Sequence, residues 1–247
     1  MSVIGHIAES RGFTLVEIII VILIIGVLAA VATDKLSVTV TTAEMEQTKK
    51  ELDELVFAMA GNPALYQSGA RTNFGYIGDV GSFPPDLGAL VHNPGGYTTW
   101  NGPYIDSGSN GSDYNQDAWK VTYVYTDTLL RSTGSGENID KLISSTRAEL
   151  VDDTVAGFII DASGKSPGIS YRDSVWVQLI YPDGAGSYKI DSLHPAANGW
   201  FQFVGVPIGN HSLRVIHSPT ADTRTLPVTV YPRSRTKVEV VFPANLW

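Results

Sequence analysis

The chain has 247 residues, with 17 Lys and Arg against 25 Asp and Glu, a net charge of −8 and no cysteine. Hydrophobic residues make up 43% and mean hydropathy is +0.04, enough apolar material for a packed core. A disulfide framework, a thiol nucleophile and Cys-ligated metal sites are excluded, and so acidic a chain lacks the basic face that a non-specific nucleic-acid partner requires. The charge is uneven. Residues 1–151 hold nine basic and seventeen acidic side chains, and residues 152–247 hold eight of each. Two regions meeting near Glu149–Thr154 follow from that shift.

The first element is the apolar run from Phe13 to Ala32, twenty residues whose one charge is Glu17 and whose one other polar residue is Thr14. At 1.5 Å per residue, about 20 residues span a hydrocarbon core of roughly 30 Å, so 13–32 is expected to be a transmembrane helix in contact with lipid. A secretory signal peptide is the competing reading, with Ala29, Ala30 and Ala32 offering small residues for cleavage. The position of Glu17 argues otherwise, because an acidic side chain at that depth costs about 2.5–3.5 kcal/mol unless it has a partner. Cleavage after Gly12 would supply one, the new α-amino group of Phe13.

Gly12-Phe13-Thr14-Leu15-Val16-Glu17, followed by Ile, Val, Leu and Ala, resembles the class III signal of type IV pilins and type II secretion pseudopilins. The resemblance implies a leader at 1–12, cleavage between Gly12 and Phe13 by a prepilin peptidase, N-methylation of Phe13, and an assembly role for Glu17. Family members commonly carry proline where this chain has Asp34, a departure that bears on kinking of the helix.

The helical pattern continues. Leu52, Leu55, Val56 and Met59 fall at i, i+3, i+4 and i+7, and Gly61-Asn62-Pro63 is a stop. One helix over 13–60 is predicted, with the β-branched stretch Val38–Thr42 as its weakest part. Residues 61–150 then form a region rich in Gly, Pro, Asn and aromatics, with one alternating strand at Val121–Tyr125. Its phrases Phe83-Pro84, Gly102-Pro103-Tyr104-Ile105 and Asp117-Ala118-Trp119 resemble the core of the major pseudopilin, although Ala118 and Lys120 replace the usual Pro and Gly. The resemblance covers residues 12 to about 145. Several such pseudopilins bind calcium in the loop after the core strands. Here Ser132–Asp140 occupies that place, with Glu137 and Asp140 as the weak candidate ligands beside Asn138 and backbone carbonyls. A plain solvated loop is the commoner outcome for such a sequence, and no other cofactor is implied.

Residues 151–247 read as an all-β sandwich. Strands are expected at Val155–Ile160, Ser174–Tyr181, from Gly199, at Ser212–His217, Thr225–Tyr231 and Lys237–Phe242. Gly157-Phe158-Ile159-Ile160-Asp161, Gly199-Trp200-Phe201-Gln202-Phe203 and Val206-Pro207-Ile208-Gly209 resemble the carboxypeptidase regulatory-like, prealbumin-like module, which is not itself a peptidase.

No enzyme signature is present. His6, His92, His194, His211 and His217 form neither H-x-x-x-H nor H-E-x-x-H, and there is no G-x-S-x-G elbow. His211 and His217 are expected to face solvent or fill an edge. Trp176, Trp200 and Trp247 suggest carbohydrate stacking, though core or rim aromatics are commoner.

The reading that joins these parts is an α+β structural subunit. A long N-terminal transmembrane helix packs on a small antiparallel sheet, followed by a C-terminal sandwich. The expected role is self-assembly with other pseudopilins in a periplasmic pseudopilus, from an inner-membrane secretion platform. The rival readings are a minor type IV pilin with an adhesive or ligand-binding C-terminal domain, and a membrane-anchored binding protein that never polymerises.

Overall fold

The computed structural model describes residues 13–107 and 113–247, without the side chains of 31, 33, 34, 36–38 and 113. The chain divides into two compact units, Met1–Glu46 and Gln47–Trp247. Helix α1 (Leu15–Ala60) supplies the described part of the first unit and the opening element of the second. Its backbone is helical through 38–42, where the Thr39 hydroxyl donates to the Lys35 carbonyl at 2.9 Å. Such a bond to the i−4 carbonyl satisfies the hydroxyl within the helix at a small cost in helix stability.

In the second unit α1 buries the predicted stripe. Leu52, Leu55 and Met59 are fully buried in a cluster with Tyr76, Ile77, Val80, Leu90 and Leu130. The helix ends where the sequence placed the stop. Gly61 takes a positive φ of +79°, its N–H donates to the Phe57 carbonyl at 2.8 Å, and the left-handed residue ends the helix. The last carbonyls are then claimed by a side chain. Arg71, buried, donates through Nη2 to Ala60 O at 2.6 Å and to Gly61 O at 2.8 Å.

Two short strands, β1 (Tyr66–Gln67) and β2 (Ala70–Arg71), pair as a hairpin before helix α2 (Gly75–Val80). The small sheet is an antiparallel meander of β3 (Val124–Thr126), β4 (Leu129–Ser132) and β5 (Ile139–Leu142). Aromatic hydroxyls lock the loops between them. Tyr123 Oη donates to Glu51 on α1 at 2.8 Å, Tyr125 Oη to Pro84 O at 3.0 Å, and Tyr104 Oη to Asp79 at 2.9 Å, while Trp100 Nε1 donates to Ala89 O at 2.8 Å. Thus the Phe-Pro, Gly-Pro-Tyr and Tyr-rich phrases are ties between loops and helix.

Helix α3 (Ala148–Val151) ends directly in β6 (Asp153–Asp161), with no linker. After α4 (Gly168–Tyr171) come β7 (Val175–Pro182), β8 (Tyr188–Leu193), β9 (Trp200–Val206), β10 (Gly209–His217), β11 (Asp222–Val230) and β12 (Arg235–Phe242). They form a four-stranded sheet ordered β11-β10-β7-β8 and a three-stranded sheet ordered β12-β6-β9. The β12–β6 pair is parallel and the other pairs are antiparallel. Between the sheets lie Val155, Ile159, Val177, Leu179, Phe201, Val215 and Val240. The two hydrophobic clusters meet closely. Ile208 belongs to the helix-side cluster and its N–H donates to Leu150 O at 3.0 Å. A Cβ on Gly81 would come within 2.6 Å of Pro182 O, so that contact is backbone against backbone.

One expectation is overturned. His211 and His217 do not face solvent; both are buried, because they share the inward parity of β10 with Leu213 and Val215. His211 Nε2 lies 2.7 Å from Pro207 O, and His217 Nδ1 lies 2.8 Å from Thr220 Oγ1. Burial pushes both imidazoles below their ordinary value, against smaller opposing effects of Pro207 and Asp222. Their unfolded forms therefore take up protons first, near pH 6.5, and stability falls as pH drops from there towards the depressed native values. Asp153 works in the opposite sense. Its carboxyl is raised to about 6 by burial, so its contribution is largest under acid and has gone above pH 6. From pH 7.5 down to 6 the histidines decide the slope, up to about 1.4 kcal/mol per pH unit for each proton. Urea midpoints followed by tryptophan fluorescence should fall over that range, and the His211→Gln/His217→Gln double variant should flatten the fall.

Candidate functional site

The helix start at Phe13–Glu17 is built from a cap. Thr14 precedes α1, its Oγ1 accepts the Glu17 N–H at 3.3 Å and its carbonyl accepts the Ile18 N–H at 3.2 Å. Thr14 and Glu17 have the Thr-x-x-Glu spacing of a capping box. Glu17 is also the one acidic residue in the first turn, where the helix dipole favours negative charge. Part of the reason for glutamate here is therefore local. What the cap leaves over is an exposed Glu17 side chain, one helical turn along the chain from Phe13, itself 75% exposed.

Every large apolar side chain from Leu15 to Leu28 is exposed in the single chain. Leu15–Leu28 has apolar residues at every angular position around the helix apart from Glu17 and Gly26, so it has no polar face to turn to water. A helix apolar all round is normally buried on all sides, and each such residue gains about 1.5–3 kcal/mol on burial. Among the described residues, however, no helix is long and apolar enough to cross a membrane. Gly12 and the rest of the leader 1–12 lie outside the described residues, as does the side chain of Asp34.

The calcium candidates are placed apart in function. Asp140 sits on β5 directly opposite Arg131 of β4, which donates to it through Nε at 2.6 Å and Nη2 at 2.7 Å. This bidentate hydrogen bond holds the Asp140 carboxyl below its ordinary range. Glu137 is exposed in the β4–β5 turn, where its N–H and carbonyl engage Ser135 Oγ. Among the described residues no group of three or more His, Asp and Glu side chains could hold a metal ion.

The loop is organised instead by Asp117, which is buried. Its Oδ1 accepts from Trp119 N at 3.0 Å and Val121 N at 2.9 Å, and its Oδ2 from Ser132 Oγ at 2.6 Å and Gly134 N at 3.1 Å. A Cβ on Gly134 would lie 2.5 Å from that Oδ2, which accounts for the glycine. The Asp-x-Trp phrase is visible in the sequence; the convergence of four donors on it, two from the β4–β5 loop and strand, is not. Arg71, the buried cap of α1, has no signal in the sequence at all.

The tryptophans also separate. Trp176 packs on His194 with the rings tilted and centroids 3.9 Å apart, and Trp247 packs on Phe242 and His217. Trp200 lines a cavity on the outer face of the three-stranded sheet.

Residues 8–33 match the prokaryotic N-terminal methylation motif. The chain is pilin-like over that segment and carries a prepilin-type signal. No curated protein matches the chain. Among solved structures it is similar to the dioxygenase domain of a dioxygenase carbohydrate-binding protein fusion from Streptomyces sp. SirexAA-E, at 12% identity, 40% of this chain, 84% of that chain and a TM-score of 0.31. A streptococcal ancillary pilin follows at 12% identity, 48% and 43% coverage and a TM-score of 0.27. The major pilin subunit of Bacillus cereus gives 10% identity, 47% and 36% coverage and a TM-score of 0.25. This chain thus spans less than half the length of either pilin, and such scores carry no argument about function.

Asp117→Ala strips four donors, one of them the buried Ser132 hydroxyl, of their common acceptor, and leaving a buried donor unsatisfied costs about 1–3 kcal/mol. Because neighbouring losses do not add, a destabilisation of about 3–5 kcal/mol is expected from the urea midpoint. Asp140→Ala, at an exposed pair, should leave the midpoint nearly unchanged.

Proposed function

We propose that the chain is a pseudopilin, a structural rather than catalytic subunit of a periplasmic pseudopilus that serves type II protein secretion. A prepilin peptidase cuts between Gly12 and Phe13, and Phe13 is N-methylated. Before assembly the apolar segment holds the subunit in the inner membrane, in contact with lipid, with residues 47–247 in the periplasm. The secretion platform then transfers it into a filament with other pseudopilins.

The observation that carries this reading is the apolar surface of Leu15–Leu28, exposed on every side, within a segment that matches the methylation motif and opens on Glu17. Such a surface needs surroundings that are apolar throughout, and lipid and a bundle of like helices both qualify. Transfer from the first to the second leaves apolar burial nearly unchanged, so the charges decide where a subunit docks. Glu17 in an apolar bundle is costly unless matched, and the Phe13 amine of a neighbouring subunit matches it.

Intact mass and N-terminal sequencing of the membrane-extracted protein test the processing. A chain that begins at N-methylated Phe13 supports the proposal. One that begins at Met1 in a host with the peptidase favours a simple anchored protein, and one that begins after Ala30 or Ala32 indicates ordinary secretion. Glu17→Gln preserves a side chain able to complete the cap but removes the charge. It should leave cleavage intact and reduce assembled filament at least about a hundredfold, the minimum for an amine left unpaired in an apolar bundle. Filaments at normal yield from this variant, counted by electron microscopy, would remove Glu17 from docking.

A further inference from the structure

In a two-sheet sandwich the outward positions of each strand are ordinarily polar, and the β12-β6-β9 sheet departs from this at one end. Register places Trp200, Phe158 and Glu239 in one row across its outer face, and Gln202, Ala156 and Lys237 in the next. Arg235 lies two residues before Lys237 on the same side of β12. The rings of Phe158 and Trp200 meet edge to face at 4.8 Å, and Phe158 remains 43% exposed. The Arg235 guanidinium sits 5.5 Å from the Trp200 ring centroid, steered there by its Nη2 bond to Gln202 Oε1 at 2.6 Å. Phe158, Trp200, Arg235, Lys237 and Glu239 line a cavity of about 370 Å³, a size typical of small-ligand sites, about 300–1,000 Å³.

We infer that this cavity binds an acidic sugar, a pyranose ring bearing a carboxylate. The half-exposed Phe158 ring, held edge to face by Trp200, supplies an apolar surface for the C–H face of the sugar. Arg235, oriented and with further N–H groups to give, suits a carboxylate. Lys237 donates to hydroxyl oxygens, and Glu239 accepts from hydroxyl protons. Among the described residues no salt bridge engages Lys237 or Glu239, so both heads are available. The charges narrow the ligand further. Arg235 and Lys237 against Glu239 leave the cavity at +1 on a chain of net charge −8, which favours an anion. Glu239 at the same time repels a dense polyanion such as a polyphosphate. An apolar ligand would leave all three charges without partners. A polyol with one carboxylate per ring uses each of them. The inference concerns the C-terminal sandwich and does not depend on filament assembly.

Isothermal titration of the full chain in mild non-ionic detergent with tetragalacturonate tests the assignment, with maltotetraose as the neutral sugar and tetraglutamate as carboxylates without pyranose rings. Saturable binding of tetragalacturonate is expected, with Kd below about 1 mM and at least about tenfold tighter than either control. Arg235→Gln and Lys237→Gln, both at exposed positions that leave the fold intact by circular dichroism, should each weaken it about tenfold, the loss expected for one charge-assisted hydrogen bond. Trp200→Phe should weaken binding while keeping the aromatic pair. No saturation with tetragalacturonate, equal affinity for maltotetraose or tetraglutamate, or unchanged affinity in the Arg235→Gln/Lys237→Gln double variant would each overturn the inference.

Discussion

The protein depends on a helix that cannot be left alone in water. Over Leu15–Leu28 the surface of α1 is apolar at nearly every angular position, and none of the described residues covers it. Over Leu52–Met59 the same helix is amphipathic, and its apolar stripe is buried in the folded unit. Two kinds of burial are thus written into one element. The second is intramolecular and is satisfied by the chain's own residues. The first is satisfied only by an environment, and a surface of this kind, far beyond the scattered apolar residues of an ordinary exterior, makes the protein a component rather than a free-standing molecule.

The folded unit solves a different problem, the fixing of long Gly- and Pro-rich loops with few regular elements. Hydroxyls of Tyr104, Tyr123 and Tyr125 and the indole of Trp100 reach across from one loop to another or to α1. Each ring contributes apolar area to the core and a polar tip to a distant acceptor, which is the particular use of Tyr and Trp. Burial and these partners push the Tyr104 and Tyr123 phenols far above their ordinary value, so they serve as donors and not as titrating groups. The sandwich has less need of such ties, because its ladders and inward-facing Val, Leu and Phe already fix it.

Much of this is visible in the residues, and the failures have physical causes. The helix stripe at Leu52, Leu55 and Met59, its stop at Gly61 and six of the sandwich strands follow from period and punctuation. Strand β8 does not, since Tyr188–Leu193 lies at a sheet edge with exposed, mostly polar side chains and so shows no apolar alternation. The burial of His211 and His217 was legible in principle, for both stand at even spacing from Leu213 and Val215 on one strand; the polarity of imidazole argued against it, and partners at Pro207 and Thr220 outweigh that argument. At the N-terminus the residues were legible and the mechanism was only half so. Thr14 and Glu17 read as part of a signal, while the hydrogen bond between Thr14 Oγ1 and the Glu17 amide gives the pair a local task as well.

That double task bears on how an acidic residue is recognised as functional. Asp161 is buried and accepts backbone N–H groups from Ser163, Lys165 and Asn245; burial alone would raise its carboxyl, but these donations outweigh it and hold the group below its ordinary range. Asp117 is spent in the same way on four donors, and Asp140 on one arginine. In each case the fold consumes the lone pairs, and little remains for a ligand. A carboxylate can act on something outside the chain only where the fold leaves its oxygens free. Glu17, on an exposed first turn, and Glu239, at the rim of a cavity with no ion-pair partner among the described residues, meet that condition. The first stands at the start of an exposed apolar helix surface, and the second beside two cations and an aromatic pair. The two proposals therefore rest on the same property of a carboxylate, at opposite ends of the sequence.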